Sequence, residues 1–309
     1  MNSKTTPLVS IVTVTLNLIK AGREKSFRQC LESVRNQTYE NIEHIIIDGA
    51  SSDGTIDILN NYANRKWIKY ISEVDTGIYD SMNKGLKLAN GKYIAFLNSD
   101  DYFHGLDGVD ASVKALENSK AVFSYAPVIN LDESQQAQNI IYPKMKNVFL
   151  TIMPNHQTMF FKRSVLINEG LFNTNYKCVG DYDMTIRLCL KNHKSIFVDN
   201  IFSTYRLGGF SKIATDEGLV FEEVSNIYYE NYNRLISITR EECEKICGNI
   251  YDSDYSNIPP KLARKLKHLL PYFDYVEFLE KNRLTKVNKP IFISSFWNFF
   301  YKNKIIKSK

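Results

Sequence analysis

The stretch "YIAFLNSDDYF", residues 93–103, begins as the apolar run of a buried strand and ends on two adjacent carboxylates, Asp100 and Asp101. Like charges side by side repel, and burying either is costly without something positive nearby. Two readings of Ser99-Asp100-Asp101 stand open at this point. One is a solvated turn. The other is a site for a divalent cation, which favours oxygen ligands and would reverse the repulsion.

Outward from this stretch, the first half of the chain alternates strand and helix patterns. "LVSIVTVTL" (8–16) is β-branched and apolar, and "IEHIIID" (42–48) is a second run of the same kind. Between them, residues 24–38 place Phe27, Leu31 and Val34 on one helical face. A short helix carrying Ile56, Leu59 and Tyr62 follows Asp53, and "WIKYIS" (67–72) reads as a third strand. Met82, Leu86, Leu88 and Ala89 predict a helix closed by Gly91, and "YIAFLN" (93–98) is the fourth strand. Repeated strand-helix-strand units with short connections predict a mostly parallel, doubly wound sheet flanked by helices. Ligands bind beyond the carboxyl ends of such strands. Three polar clusters fall at that edge: Thr15-Leu16-Asn17, "DGASSDGT" (48–55) and "NSDD" (98–101).

The second half is less regular. "AVFSYAPVI" (121–129), "QTMFF" (157–161) and "IFSTYRLGGFS" (201–211) read as strands, and "DYDMTIRLCLKN" (181–192) as an amphipathic helix. Beyond about residue 215 the pattern is helical, so two regions are expected, 1–215 and 216–309.

Composition narrows the function classes. A chain of 309 residues, 44% hydrophobic and 24% charged, has the ordinary make-up of a globular protein. Its five cysteines form no disulfide or zinc framework, and reduced thiols are the expectation. The N-terminus lacks signal-peptide features, and no window reaches the roughly 20 apolar residues of a membrane span. Net charge is +5, yet residues 281–309 hold eight Lys or Arg and no acid, so the remainder, at −3, is slightly acidic. That is no nucleic-acid footprint. It is a basic tail on a near-neutral body, and its aromatic end, "PIFISSFWNFFYKNKIIKSK" (290–309), suits a membrane interface.

With these segments assembled, the chain resembles the family 2 nucleotide-sugar glycosyltransferases. The resemblance covers roughly residues 7–211 and rests on an ordered set: "VSIVTVTLN" (9–17), "SVRNQTY" (33–39), "IIIDGASSDGT" (45–55), "DTGIYDSMNKGLKLANGKYIAFLNSDD" (75–101), "HQTMFF" (156–161) and "GDYDMTIRL" (180–188). The "DGAS" and "GIYDSMNKG" variants resemble a subgroup that builds bacterial surface polysaccharides. The resemblance implies the A-type glycosyltransferase fold with a helical C-terminal extension. It implies an inverting transfer from a nucleotide-diphosphate sugar, UDP first, to a glycan or lipid-linked acceptor. A divalent cation, Mg²⁺ or Mn²⁺, and a place on the cytoplasmic face of the membrane, held peripherally by the tail, also follow from it.

By the same resemblance, Asp101 matches the metal carboxylate and Asp100 the residue beside the ribose. Thr15, Asn17, Asp48, Ser51, Asp75, Asp80, Asn83 and Ser99 fall on the donor side, while His156, Gln157 and Arg206 fall on the acceptor or diphosphate side. Asp181 matches the catalytic base. Three positions depart from the family pattern: Gly49 and Gly180, where acids are common, and Met82, in a segment before Asn83 that often carries an Arg. Alternatives accompany several of these residues. Asp181 also reads as a helix N-cap, Asp183 as a second candidate base, and Asp48 as a turn residue. His156 also reads as a structural hydrogen-bonding residue and Arg206 as a surface charge. At the level of function, a non-catalytic nucleotide-sugar binder on the same fold is the alternative. A sugar nucleotidyltransferase is a weaker one, because "LNLIKAGREK" (16–25) is not Gly-rich.

Overall fold

A computed structural model describes residues 6–252, except 133, 144, 146, 147 and 150–152, together with residues 258–266 and 268. The tail at 290–309 lies outside the described residues. Four strands, β1 (Val9–Thr15), β2 (Ile42–Asp48), β3 (Lys69–Ser72) and β4 (Tyr93–Phe96), run parallel in the order β3-β2-β1-β4. Between them come α1 (Glu24–Arg35), α2 (Thr55–Asn64) and α3 (Ile78–Leu88). After α4 (Gly108–Glu117), the sheet is extended by β5 (Phe123–Tyr125), β8 (Phe160–Lys162) and β9 (Ser195–Phe197), in the order β4-β8-β5-β9. Of these, β8 runs antiparallel to both neighbours. A second, three-stranded sheet has the order β10-β6-β7, from β6 (Val128–Leu131), β7 (Ala137–Ile141) and β10 (Ser203–Arg206).

Helices cover both faces because the strands alternate apolar residues toward each. Val12, Ile45, Ile47, Ile94 and Phe96 share one core with Tyr79, Met82 and Leu86 of α3. That core continues into α6 (Gly180–Leu190), α8 (Leu219–Tyr232), α9 (Arg240–Asp252) and α10 (Pro260–Leu266) through Tyr182, Tyr228, Ile246 and Leu262. Val9, Ile11, Tyr93 and Ala95 face the other way, onto Cys30 and Val34 of α1 and Val109, Val113 and Leu116 of α4. The remaining helices are short: α5 (Arg163–Asn168) and α7 (Phe210–Asp216). Among the described residues no helix is long and apolar enough to cross a membrane.

Several local expectations are corrected. Residues 121–129 are not one strand. The segment breaks at Ala126-Pro127, because proline cannot donate to a ladder, and β5 and β6 join different sheets. "QTMFF" is a 3-10 turn at His156–Thr158 followed by β8. Ile58 rather than Ile56 is buried with Leu59 and Tyr62 in α2. Gly91 does not cap α3, whose C-cap is Ala89. It allows close backbone approach instead: its N–H donates to Ser10 Oγ (2.9 Å), and a Cβ there would lie 2.6 Å from that same oxygen.

Gly85 shows how tightly α3 lies on the sheet. A Cβ at this position would meet Val12 Cγ1 at 2.4 Å. Gly85→Ala is therefore expected to overpack the interface and destabilise by about 1–3 kcal/mol, despite alanine's better helix propensity. A lowered midpoint in thermal or urea unfolding checks this, and an unchanged or raised midpoint contradicts it.

Candidate active site

The carboxyl ends of β1, β2 and β3 are stitched together by Asp48. Its fully buried carboxylate accepts from Thr15 Oγ1 (3.1 Å), Ser51 N–H (2.8 Å), Ser51 Oγ (2.5 Å) and Ser72 Oγ (2.7 Å). Asn17 has a left-handed backbone (φ +48°) and joins the network. Its N–H donates to Ser51 Oγ (2.7 Å), and its side-chain oxygen accepts from Ser52 N–H (3.0 Å). Of these residues Thr15 lines the cavity, whereas Asn17, Asp48 and Ser51 stand behind it. Asp75 lines it as well, held by Ser81 Oγ–H (2.6 Å) and Gly77 N–H (2.9 Å). Gly49 is small for a reason visible here: a Cβ on it would lie 2.6 Å from Asp75 Oδ2.

At the exit of β4, Ser99, Asp100 and Asp101 all reach the cavity wall. Asp101 is 2% exposed and accepts from Arg206 N–H (2.8 Å) and Gln157 Nε2 (2.6 Å). Burial, then the charge of Asp100, push its carboxyl up to about 7 in spite of these two donors. Asp100 faces Arg23 at 3.4 Å. Hard oxygens in this setting fit a divalent cation, whose charge would offset the two carboxylates. The buried Oε1 of Gln157, with no partner among the described residues, adds a neutral oxygen beside them. Among the described residues no group of three or more His, Cys, Asp or Glu could hold a metal by itself. An ion here would thus complete its shell with ligand oxygens, as Mg²⁺ does with phosphates.

Asp181 lies at the start of α6. The N-cap of that helix is Val179, so Asp181 is not the cap. Buried Glu223 of α8 instead receives the N–H groups of Lys177, Cys178 and Val179 just before the helix. Asp181 Oδ2 accepts from His156 Nδ1 (2.9 Å), and Oδ1 accepts from Tyr79 Oη (2.9 Å) and Tyr182 N–H (3.0 Å). Burial alone would raise its carboxyl. The hydrogen bond and charge of His156, with the other donors, hold it below the usual carboxylate range, so it is ionised at neutral pH. Asp183 is a different case. It is buried, makes an ion pair with Arg187 (2.8 Å), accepts from Asn231 (3.1 Å), and does not line the cavity.

The rest of the candidates divide by position. His156 Nε2 lies 3.3 Å from Asn98 Oδ1, so the imidazole spans from Asp181 to the loop after β4 that carries Asp100 and Asp101. Arg206 sits at the end of β10, with its guanidinium donating to Gln29 Oε1 (2.6 Å) and standing over Tyr102 (5.5 Å). Asp80 and Asn83 do not line the cavity. Asp80 receives Thr76 N–H and lies near Lys84, while buried Asn83 exchanges two hydrogen bonds with the backbone of Phe172. Three contributors went unnoticed in the sequence. Asn98 and Tyr79 lie inside the quoted motifs and Arg23 inside "LNLIKAGREK" (16–25), and nothing local marks their contacts.

The lining side chains among them open on one cavity of about 360 Å³. At one part of its wall are Thr15, Asp75, Ser99, Asp100 and Asp101. Elsewhere are Asp181 and His156, and Val220, Val224 and Tyr228 of α8 complete it with apolar surface.

Comparison with known proteins fits this geometry. A glycosyltransferase of PGL/p-HBAD biosynthesis from Mycobacterium bovis is 29% identical over 229 residues, covering 68% of this chain and 82% of that one. The structure of Staphylococcus aureus TarS 1-349 in complex with UDP-GlcNAc matches with TM-score 0.58 at 16% identity, covering 86% of this chain and 80% of that one. Of a longer TarS structure the chain covers 46%. The mannosyltransferase PcManGT from Pyrobaculum calidifontis, in complex with GDP-Man and Mn²⁺, matches with TM-score 0.58 at 16% identity, covering 92% and 89% of the two chains. These structural likenesses establish the shared fold. Residues 10–168 match Glycosyl transferase family 2. With an A-type sheet whose carboxyl edge gathers two carboxylate sites around one cavity, the chain belongs to glycosyl transferase family 2 and is a glycosyltransferase.

Proposed function

We propose that this glycosyltransferase is an inverting, metal-dependent enzyme that moves a sugar from a nucleotide-diphosphate donor, UDP first, to a glycan or lipid-linked acceptor in bacterial surface-polysaccharide synthesis. The observation that carries the reading is a pair of consecutive residues: His156 holds Asp181, and Gln157 holds Asp101. One turn thus registers a base candidate against a metal-carboxylate candidate across a single cavity. The names of the matched structures support the donor class and a divalent ion, since one holds UDP-GlcNAc and another GDP-Man with Mn²⁺.

In this reading, residues 1–215 bind the donor and carry the chemistry, and the region from 216 onward, helical in α8, α9 and α10, is an extension to it. Asp101, with Asp100 and Gln157 beside it, would hold Mg²⁺ or Mn²⁺ against the diphosphate. The ion supplies Lewis-acid stabilisation of the leaving group, worth several kcal/mol. Thr15, Asp75 and Ser99 face the donor, with Asp48, Asn17 and Ser51 fixing the turn behind them. Asp181 Oδ1 already takes two donors and Oδ2 takes one, which leaves an Oδ2 lone pair for the acceptor hydroxyl. A carboxylate below the usual range is a weak base, so it takes the proton late, once the attacking oxygen is bonding to carbon. Positioned base catalysis of this kind gives roughly 10²–10⁴-fold.

A panel of UDP-, GDP- and dTDP-sugars, assayed for hydrolysis and for thermal shift with and without Mn²⁺, tests the reading. Asp101→Ala is expected to abolish the metal-dependent part of the donor's thermal shift; full retention removes the metal assignment. Asp181→Asn is expected to keep that shift and lose transfer by roughly 10²–10⁴-fold. Asp183→Ala strands Arg187 and is expected to destabilise by about 3 kcal/mol. If the milder Asp183→Asn alone stops transfer in folded protein, the base is misassigned.

The membrane role of residues 290–309 rests on their sequence alone. Six aromatic side chains, Phe292, Phe296, Trp297, Phe299, Phe300 and Tyr301, stand beside Lys302, Lys304, Lys307 and Lys309. Each basic group near an anionic leaflet is worth about 1 kcal/mol. Full-length protein is expected to float with anionic liposomes at low salt and less at high salt, and a chain ending at Asn288 is expected not to. Equal behaviour of the two removes the tail from the proposal.

A further inference from the structure

Tyr79 and the absent side chain at position 180 are two halves of one contact. Tyr79, second residue of α3, is 4% exposed. Its ring stands against the first residue of α6. A Cβ on Gly180 would lie 2.8 Å from Tyr79 Cδ2, 2.9 Å from Cε2 and 3.0 Å from Cγ, closer than a carbon contact allows. The ring also packs against Phe172, with centroids 5.8 Å apart. It cannot yield freely to a larger residue at 180.

The hydroxyl at the end of this clamped ring reaches two acceptors, Asp181 Oδ1 (2.9 Å) and Cys178 C=O (2.7 Å). A phenol has one proton to give, and an ionised carboxylate is the stronger acceptor. Tyr182 N–H takes the second site on Oδ1 (3.0 Å), and His156 Nδ1 takes one site on Oδ2 (2.9 Å). Three donors from three elements therefore fix the carboxylate plane.

We propose that Tyr79 is a positioning residue for Asp181. Its hydroxyl saturates Oδ1, turns the remaining lone pair of Oδ2 toward the cavity and favours the ionised form, and Gly180 is small so that the ring can stand there. This deepens the reading of Asp181 as the base and rests on it.

The titratable groups facing Asp181 are Tyr79 from α3, His156 from the turn before β8, and Cys178 from the segment before α6. Burial, followed by the charge of Asp181, pushes the Cys178 thiol up to about 12, so it stays neutral over an assay range. Tyr79 itself is pushed well above its ordinary value, first by burial and then by the charge of Asp181, so it remains a donor throughout. Removing its hydroxyl takes one donor from the ionised carboxylate while burial still favours the neutral form. The Asp181 titration then moves to higher pH.

The test uses full-length protein labelled with [¹³C]aspartate, with Asp181→Asn serving to assign the Asp181 carboxyl signal. In Tyr79→Phe, which keeps the ring, the midpoint of that signal is expected to move up, and Gly180→Ala is expected to produce the same shift by displacing the ring. The double variant is expected to add little to either single change. On the donor that turns over, kcat should fall roughly ten- to a hundredfold with donor KM unchanged, and the acid limb of the kcat profile should move up. A merely structural role would lower the melting midpoint and leave the carboxyl titration where it was. An unmoved Asp181 midpoint in folded Tyr79→Phe overturns the proposal, and if that variant fails to fold, an unmoved midpoint in Gly180→Ala overturns it. If no nucleotide sugar turns over with the wild-type protein, the transferase reading fails, while the titration still decides the role of Tyr79.

Discussion

The site depends on a single turn, His156-Gln157, that reaches two carboxylates at once. Gln157 donates to Asp101 and His156 to Asp181. Each carboxylate comes from a different part of the chain, one from the exit of β4 and one from the start of α6. Buried carboxylates are costly unless held by donors or balanced by charge, so the turn meets part of that cost at both places at once. Arg206 N–H from β10 closes the arrangement on Asp101. The small second sheet is thereby tied to the edge of the large one at the point where the chemistry is proposed.

Two glycines make room for what a single segment delivers. A Cβ at Gly49 would collide with Asp75, and a Cβ at Gly180 would collide with Tyr79. Asp75 and Tyr79 are four residues apart, around the start of α3, in "DTGIYDSMNKG". The two departures from the family pattern are thus complementary to this segment. Where a turn and a helix start give up their side chains, α3 and the loop before it fill the space from the other side.

The C-terminal helices take part in this as well. Glu223 of α8 collects three N–H groups ahead of α6 and so sets the entry of the helix that carries Asp181. Val220, Val224 and Tyr228 of the same helix furnish apolar wall to the cavity. Tyr228 also stacks on Tyr232 (5.1 Å) in the core shared with the sheet. The described helices α8, α9 and α10 share a core with the sheet, and α8 shapes the cavity, although their sequence carries no motif of the chemistry.

By itself the sequence determined the first four parallel strands and the polar clusters at their carboxyl ends, because these follow from local periodicity and from short ordered motifs. Strand runs of β-branched residues and polar clusters at their ends are legible wherever hydrophobic alternation is strong, as in β1 and β2. It misread 121–129 and 157–161, where strands of three or four residues carry too little pattern to show a break or a change of direction. It left Asp181 and Asp183 both open as bases, since two like residues two positions apart at the start of a helix are told apart only by what surrounds them. The tertiary structure sets the two apart: Asp183 is held by Arg187 and Asn231 away from the cavity, whereas Asp181 lines it. It likewise leaves Asp80 and Asn83 off the cavity wall, and it brings Tyr79 to a carboxylate 102 residues away. Contacts over such separations have no local signature. They exist only once sheet and helices have packed and brought the partners within hydrogen-bonding distance.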